Sequence, residues 1–277
     1  MKLICVSVCR NEAWTVEAMV RSALRWVDDV LVLDHASTDR TPDILAGLAQ
    51  ETGRVTLLRE PEPLWRDMAF KQRLLVTARE MGGTHIAILD ADEILTANLL
   101  PVIRPMIESL EPRQVLEIPW IQLWRSLDRY RDDRSNWSRS FASMAVCDAP
   151  ELYWAAVAGY EHHHHRYPFN GVPVKRLTLK EGGLLHYQHA NWRRLMAKQT
   201  WYQMYEMVRW PHFGAEAIHK RYRGTYDETG LSTAAVPDGW WGPERELIRL
   251  DNPPWQEEDM QRMIMEKGSD YFKGVLK

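Results

Sequence analysis

The order of residues predicts an α/β chain with a mostly parallel sheet and helices on both faces. Three observations carry this. Short apolar runs alternate with helix-period segments through about residue 118, Pro, Gly and acidic residues punctuate the segments, and polar clusters recur just after the apolar runs.

Leu3-Ile4-Cys5-Val6-Ser7-Val8 reads as a buried strand, closed by Arg10-Asn11-Glu12. A helix follows, with Val16, Met19, Val20, Ala23, Leu24 and Val27 on one face. Asp29 to Asp34 is the second strand and His35 to Arg40 its loop. Thr41 suits an N-cap with Pro42 at the first helical position, and Gly53 stops that helix. Val55 to Leu58 is a third strand, and Asp67 caps a helix that Gly82-Gly83 ends. His85 to Leu89 is a fourth strand ending in Asp90-Ala91-Asp92-Glu93. Thr96 opens a helix towards Leu110, and Val115 to Ile118 is a fifth strand. Beyond it, helix is expected over roughly 191–223 and again from Gln256 to Lys267. The segment from Gly224, with its Pro, Gly and Trp clusters, reads as an irregular wrapped tail.

The chain has 277 residues, 45% hydrophobic and 26% charged, an ordinary globular balance that excludes wholesale disorder. A net charge of -3 supplies no global attraction for a polyanion. No uncharged apolar run is long enough to cross a bilayer, and the start turns polar too early for a secretory signal. Cys5, Cys9 and Cys147 form neither a disulfide framework nor a zinc pattern, so they read as reduced thiols of a cytoplasmic protein.

In a doubly wound sheet, ligands bind beyond the carboxyl ends of the strands. Arg10-Asn11-Glu12, Asp34 to Asp39 and Asp90 to Glu93 all fall on that rim. The glycine fingerprint of dinucleotide folds and the Walker-type phosphate loop are both missing, which argues against nicotinamide and P-loop chemistry. Asp90 and Asp92 offer hard oxygens to one divalent cation, and magnesium is commonly held by one or two carboxylates plus substrate phosphates. An isolated Asp-x-Asp is often only a solvated loop. Its position after a buried strand, in step with Asp34, favours a metal and a nucleoside diphosphate.

Arg10-Asn11-Glu12, Val32 to Thr41, Phe70-Lys71-Gln72-Arg73 and Leu89 to Glu93 together resemble the family 2 glycosyltransferases of GT-A fold. They are most similar to the branch containing lipopolysaccharide core transferases. The resemblance implies a Rossmann-like GT-A domain with an irregular and helical C-terminal extension. Residues 1–118 would be its nucleotide-sugar-binding half, 119–223 its acceptor-binding half and 224–277 the extension. It implies a nucleotide-sugar donor, Mn²⁺ or Mg²⁺, and transfer with inversion. By position, Arg10, Asn11, Glu12, Asp34, Ser37, Asp39, Lys71, Arg73 and Asp90 would hold the donor, although Arg73 stands where Asn is common. Asp90 would face ribose and metal, and Asp92 would be the direct metal ligand.

Glu181 to Tyr187 resembles a late strand from which such enzymes supply a histidine, making His186 a candidate ligand. Lys198, with Tyr202 one turn on, could neutralise the diphosphate; a solvated helix lysine is the plainer alternative. Glu161, beside His162 to His165, is the candidate general base that takes the acceptor proton. Neighbouring side chains diverge, so that histidine run does not read as one zinc site. Glu151, Asp148 and Glu117 compete for the role of base. The expected acceptor is a glycan or lipid-linked lipopolysaccharide intermediate, with a peripheral seat at the inner membrane face compatible with the basic stretch 193–223. Arginines interleaved with aromatics from Trp120 to Phe141 leave two alternatives. One is a modified base in nucleic acid as acceptor, and the other is a structural cover. A non-catalytic nucleotide- or glycan-binding module is the non-enzyme alternative.

Overall fold

The computed structural model describes residues 1–156 and 166–276. Along the chain run β1 (Leu3–Cys9), α1 (Val16–Ala23), β2 (Asp29–His35), α2 (Thr41–Thr52), β3 (Val55–Glu60), α3 (Asp67–Glu80), β4 (His85–Ile88), β5 (Glu93–Leu95) and α4 (Leu100–Glu108). Then come β6 (Gln114–Gln122), β7 (Arg129–Arg131), β8 (Phe141–Cys147), β9 (Val172–Lys175), β10 (Leu184–His186), α5 (Trp192–Arg209), α6 (Ala215–Tyr222), β11 (Thr233–Ala235) and α7 (Gln256–Lys267). Two compact units result. The first comprises Met1–Gln122, Arg134–His186 and Val236–Arg249, and the second Leu123–Asp133, Tyr187–Ala235 and Leu250–Lys277.

The sheet of the first unit has the order β3-β2-β1-β4-β8-β6-β10-β5, with β9 beside β6. Strand order reverses between β1 and β4, which are parallel, so the switch-point crevice lies above their carboxyl ends. The two-residue period of the strands divides the core cleanly. Leu3, Cys5, Val30 and Val32 face α1, α2 and α4, whereas Ile4, Val6, Leu31 and Leu33 face Leu74, Leu75 and Ala78 of α3. β1 and β2 are apolar on both sides because helices cover both faces.

Several expectations shift. The first helix ends at Ala23 rather than Val27, because Arg54 takes over its terminal carbonyls. Its guanidinium donates to Leu24 O, to Asp28 O at 2.7 Å and to Val27 O. Thr41 and Asp67 lie inside their first turns rather than capping them, and Asp39 Oδ1 accepts from the Thr41 amide at 2.9 Å instead. The largest addition is β8, antiparallel to both β4 and β6. The sheet stays mostly parallel, but β8 and the short β5 run against it. Part of the tail, 236–249, returns to α1, where Arg249 N donates to Trp14 O and Arg25 approaches Glu244 at 3.3 Å.

In the second unit, β7 and β11 form an antiparallel ribbon, and α5 packs against α6 and α7. Asn191 caps α5 by accepting from the Arg194 amide. Glu206, almost fully buried, accepts from Tyr222 Oη at 2.6 Å and Arg221 Nη1 at 3.0 Å. The Trp201 indole N–H donates to Asp259.

Two histidines of the first unit predict an acid-sensitive stability. Burial is the main cause that holds both His35 and His85 below the ordinary 6.5. Below 6.5 the unfolded chain takes up protons that the folded chain refuses, so stability is full above that pH and declines as pH falls through it. Each histidine contributes a slope of at most about 1.4 kcal/mol per pH unit. Urea midpoints at pH 7.5 and 5.5 should therefore differ, and by less in His85→Gln. Equal pH dependence in that variant would remove His85 from the account.

Candidate functional site

The loops after β1 and β2 are stitched together by the residues that the motif supplies. Asn11, in the left-handed region at φ 55°, accepts through Oδ1 from the amides of Thr38 at 2.7 Å and Asp39 at 3.2 Å. Its own amide donates to Ser37 Oγ at 2.8 Å, and the Glu12 amide donates to Thr41 Oγ1 at 2.8 Å. Asp39 Oδ2 accepts from the Ala13 amide, and Glu12 Oε2 from the Trp14 indole N–H. Arg10 Nη1 donates to Pro63 O at 3.2 Å. Asn11, Ser37 and Asp39 thus shape the rim.

Asp34 is different. Its side chain is 0% exposed, and beyond the neighbouring Ser37 and Arg59 its oxygens gain no further partner among the described residues. Arg59 Nε lies 3.2 Å from Oδ2. Burial pushes the carboxyl upward, opposed by Ser37 and Arg59. A buried acceptor left in this state is costly, and a ligand N–H or O–H would satisfy it.

Register builds the metal-type pair. β10 lies between β5 and β6, with His186 opposite Glu93 on one side and Gln122 on the other. Gln122 Nε2 faces the Trp120 carbonyl at 3.5 Å, which turns Oε1 towards His186 Nδ1 at 2.7 Å. In the tautomer with the proton on Nδ1, that nitrogen donates to Gln122, and Nε2 faces Asp92 Oδ2, 3.6 Å away. Two ligands each about 2.1 Å from one ion can span that gap. Both side chains are at most 7% exposed. Among the described residues no third His, Cys, Asp or Glu joins them. Oxygens from a substrate diphosphate and water would complete such a site, so the donor set fits Mn²⁺ or Mg²⁺.

Asp90 faces elsewhere. Its Oδ2 accepts from Arg166 Nη1 at 2.9 Å, and its side chain is 52% exposed. Burial would raise its carboxyl, but Arg166 and then Lys71 outweigh that and hold it below the usual carboxylate range. Lys71 pairs with Asp67 at 2.8 Å. Arg73 reaches the other way, to the Arg59 carbonyl and Glu60.

Sequence reasoning missed Arg166 and the roles of Glu93, Trp120 and Gln122. Arg166 stood in no motif. Glu93 followed the acidic pair, and the Trp120–Gln122 alternation could have placed Gln122 beside His186 had the strand pairing been known. Lys198 is half-buried on α5 of the second unit. Glu161 and His162 to His165 lie outside the described residues.

The competing bases are engaged. Asp148 holds Arg79 through two 2.8 Å bonds, and Glu151 approaches Arg113 at 3.6 Å; both lie near the opposite rim, past the end of β8 and the start of β6. Glu117 accepts from Ser143 Oγ. The arginine–aromatic segment is also largely committed within the second unit. Arg125 pairs with Glu228 and stacks on Trp192 at 3.9 Å, Arg129 donates to Thr233, and Arg131 pairs with Asp133.

Gly183 allows β10 to reach this register. A Cβ there would stand 2.1 Å from the Pro119 carbonyl oxygen, and backbone cannot swing aside. Gly183→Ala should lower the unfolding free energy by about 1–3 kcal/mol, read from urea denaturation. An unchanged midpoint would show that the strands can part there at no cost.

No curated protein matches the sequence. Among solved structures, TarS 1-349 of S. aureus in complex with UDP is 11% identical with a TM-score of 0.47, over 83% of this chain and 73% of that one. GalNAc-T7 with UDP, GalNAc and Mn²⁺ is 13% identical with a TM-score of 0.42, over 97% and 58%. Glucosyl-3-phosphoglycerate synthase from Mycobacterium tuberculosis with Mg²⁺ and UDP is 20% identical with a TM-score of 0.31, over 44% and 43%. A sequence profile described as glycosyl transferase family 2 matches residues 4–145, half of the chain, across β1 to β8 and the whole switch-point rim. With its mostly parallel sheet, doubly covered core and helical C-terminal region, the chain is a GT-A glycosyltransferase and belongs to glycosyl transferase family 2.

Proposed function

We infer that the protein transfers a sugar from a nucleotide-sugar to a hydroxyl acceptor in one inverting step, with Mn²⁺ or Mg²⁺ held by Asp92 and His186. The observation that carries this reading is the 3.6 Å pair of Asp92 Oδ2 and a His186 Nε2 whose other nitrogen is held by Gln122. Bound there, the metal supplies Lewis-acid stabilisation of the departing diphosphate.

The chain's own side chains supply the rest. Asp34 accepts hydrogen bonds from the nucleoside through carboxylate oxygens whose neighbours in the free protein are only Ser37 and Arg59. Asn11, Ser37 and Asp39 hold the flanking loops over the buried Asp34, so that a nucleoside reaches it only by displacing Arg59 from its mouth. Lys71 lends positive charge to the rim beside Asp90. Glu161 is the acceptor-side base, a role that rests on the resemblance of its segment. The similarity to lipopolysaccharide core transferases supports a glycan or lipid-linked acceptor. Among the described residues no helix is long and apolar enough to cross a membrane. Three cysteines, odd in number and all free thiols, are the usage expected of a cytoplasmic protein.

A calorimetric and thermal-shift screen of UDP, GDP, CDP and ADP, with and without Mn²⁺, tests the reading. One nucleotide should bind tightly and only with metal. A folded protein that binds none of them would overturn it.

A further inference from the structure

Glu93 is the carboxylate that ties the acidic loop to its surroundings. It is 0% exposed, and its carboxylate accepts from four N–H groups drawn from three separate segments. The Asp90 amide donates to Oε2 at 2.9 Å, and the Trp120 indole N–H to Oε1 at 2.7 Å. Arg166 adds Nη1 to Oε1 at 2.9 Å and Nη2 to Oε2. Arg166 is itself locked in place. Its Nε donates to Ser143 O at 3.1 Å, its Nη2 to Ile88 O at 3.3 Å, and its Nη1 to Asp90 Oδ2 at 2.9 Å.

These bonds end on immediate neighbours of both members of the metal-type pair, Asp90 in the chain before Asp92 and Trp120 against His186. On one side, Glu93 fixes the backbone of Asp90 directly and its carboxylate through Arg166, which sets the two-residue path to Asp92. On the other, the Trp120 ring anchored by Glu93 lies parallel to His186, with centroids 4.7 Å apart and planes inclined by 18°. The antiparallel register puts Glu93 opposite His186, so one carboxylate sits where both can be reached. Gln122 orients the imidazole by its edge and Trp120 by its face. A carboxylate that only balanced a buried guanidinium would need neither the Asp90 amide nor the Trp120 N–H.

We propose that Glu93, with Arg166, is a positioning residue that holds the Asp90–Asp92 loop and the His186 ring at the separation a divalent cation requires. Outer-shell partners of metal ligands commonly change metal affinity by about 10- to 100-fold when removed. Glu93 touches neither cation nor substrate, so its effect is on the distance and orientation of Asp92 and His186.

The inference rests on the proposed metal site, and the test separates the two. Mn²⁺ alone is titrated into the full-length protein, with free ion read by EPR, and unfolding is measured in parallel. Glu93→Gln keeps the shape but places an amide N–H among four donors, so its Mn²⁺ affinity should fall about tenfold or more. Unchanged affinity in a folded but less stable Glu93→Gln would make the residue purely structural and overturn the inference, leaving the metal site standing. If Glu93→Gln does not fold, Trp120→Phe decides. It keeps the stack on His186 and removes one hydrogen bond, and should weaken Mn²⁺ binding by about threefold or more. No change there overturns the inference equally. Failure of the wild-type protein to bind Mn²⁺ would remove the metal pair itself, and the positioning role with it.

Discussion

Asp92→Asn should lower turnover by about 10²–10³-fold, or about 3–4 kcal/mol in the barrier, while the protein stays folded. The substitution hardly changes the volume of a side chain that is only 7% exposed, so packing is preserved. The negative charge is lost. In addition, an asparagine Nδ2 placed near His186 Nε2 can donate to that lone pair, converting two cation ligands into an internal hydrogen bond. The variant should therefore lose Mn²⁺-dependent turnover and Mn²⁺ binding together, with a thermal midpoint close to wild type. Undiminished metal-dependent turnover in the variant would sink the assignment of Asp92 as a ligand.

Asp34→Asn should separate stability from function in opposite directions. In the free protein, this carboxylate is buried with only Ser37 and Arg59 to offset its desolvation, and burial raises its pKa. Replacing the charge by a neutral amide lifts a desolvation cost, while Arg59, 57% exposed, loses one partner at 3.2 Å and keeps most of its own hydration. Unfolding free energy should rise by about 1 kcal/mol. Nucleotide binding should weaken by about 30-fold or more, because a charged acceptor becomes a neutral group that also presents donors to the ligand. Denaturant midpoints and nucleotide titrations on the same preparation check both signs. A variant that binds nucleotide as well as wild type would exclude Asp34 from recognition.

Both positions follow from one architectural fact. The carboxyl ends of β1, β2 and β4 meet where strand order reverses, and their loops are short and polar. The rim tolerates a buried, under-satisfied acid because the surrounding loops are held by their own bonds. Asn11 occupies a left-handed conformation to accept from the Thr38 and Asp39 amides, so the Asp34 loop keeps its shape without a ligand.

Local chemistry made the first half of the chain legible. The alternation of buried strands and helices, the Pro42 and Gly53 signals, and the helix from Gln256 to Lys267 are visible in the order of residues, since they depend on neighbours at short spacing. Asp34, Asp90 and Asp92 were visible for the same reason, each falling where a buried run ends. His186 was marked as a candidate, but its Nδ1 partner and stacking ring were not. Gln122 and Trp120 come beside it through parallel pairing across about 64 residues of chain, and Glu93 through antiparallel pairing across about 90.

β8 shows the limit most clearly. Phe141–Cys147 is buried, yet nothing local reveals that it enters between β4 and β6 and runs against them. Pairing of distant strands is decided by which edges remain open once the rest of the sheet has formed. Arg166 belongs to the same class. On paper it is one arginine beside a histidine run; folded, its guanidinium is 17% exposed and spans Asp90, Glu93 and two strand carbonyls. By itself the sequence determined the α/β class, the element order of the first half, the family and the three rim acids, because periodicity and strand-end position are local properties. Only the tertiary structure decided which histidine nitrogen faces Asp92, which carboxylate joins both sides of the site and which arginines are already paired. Those outcomes depend on register and burial between residues that the chain keeps far apart.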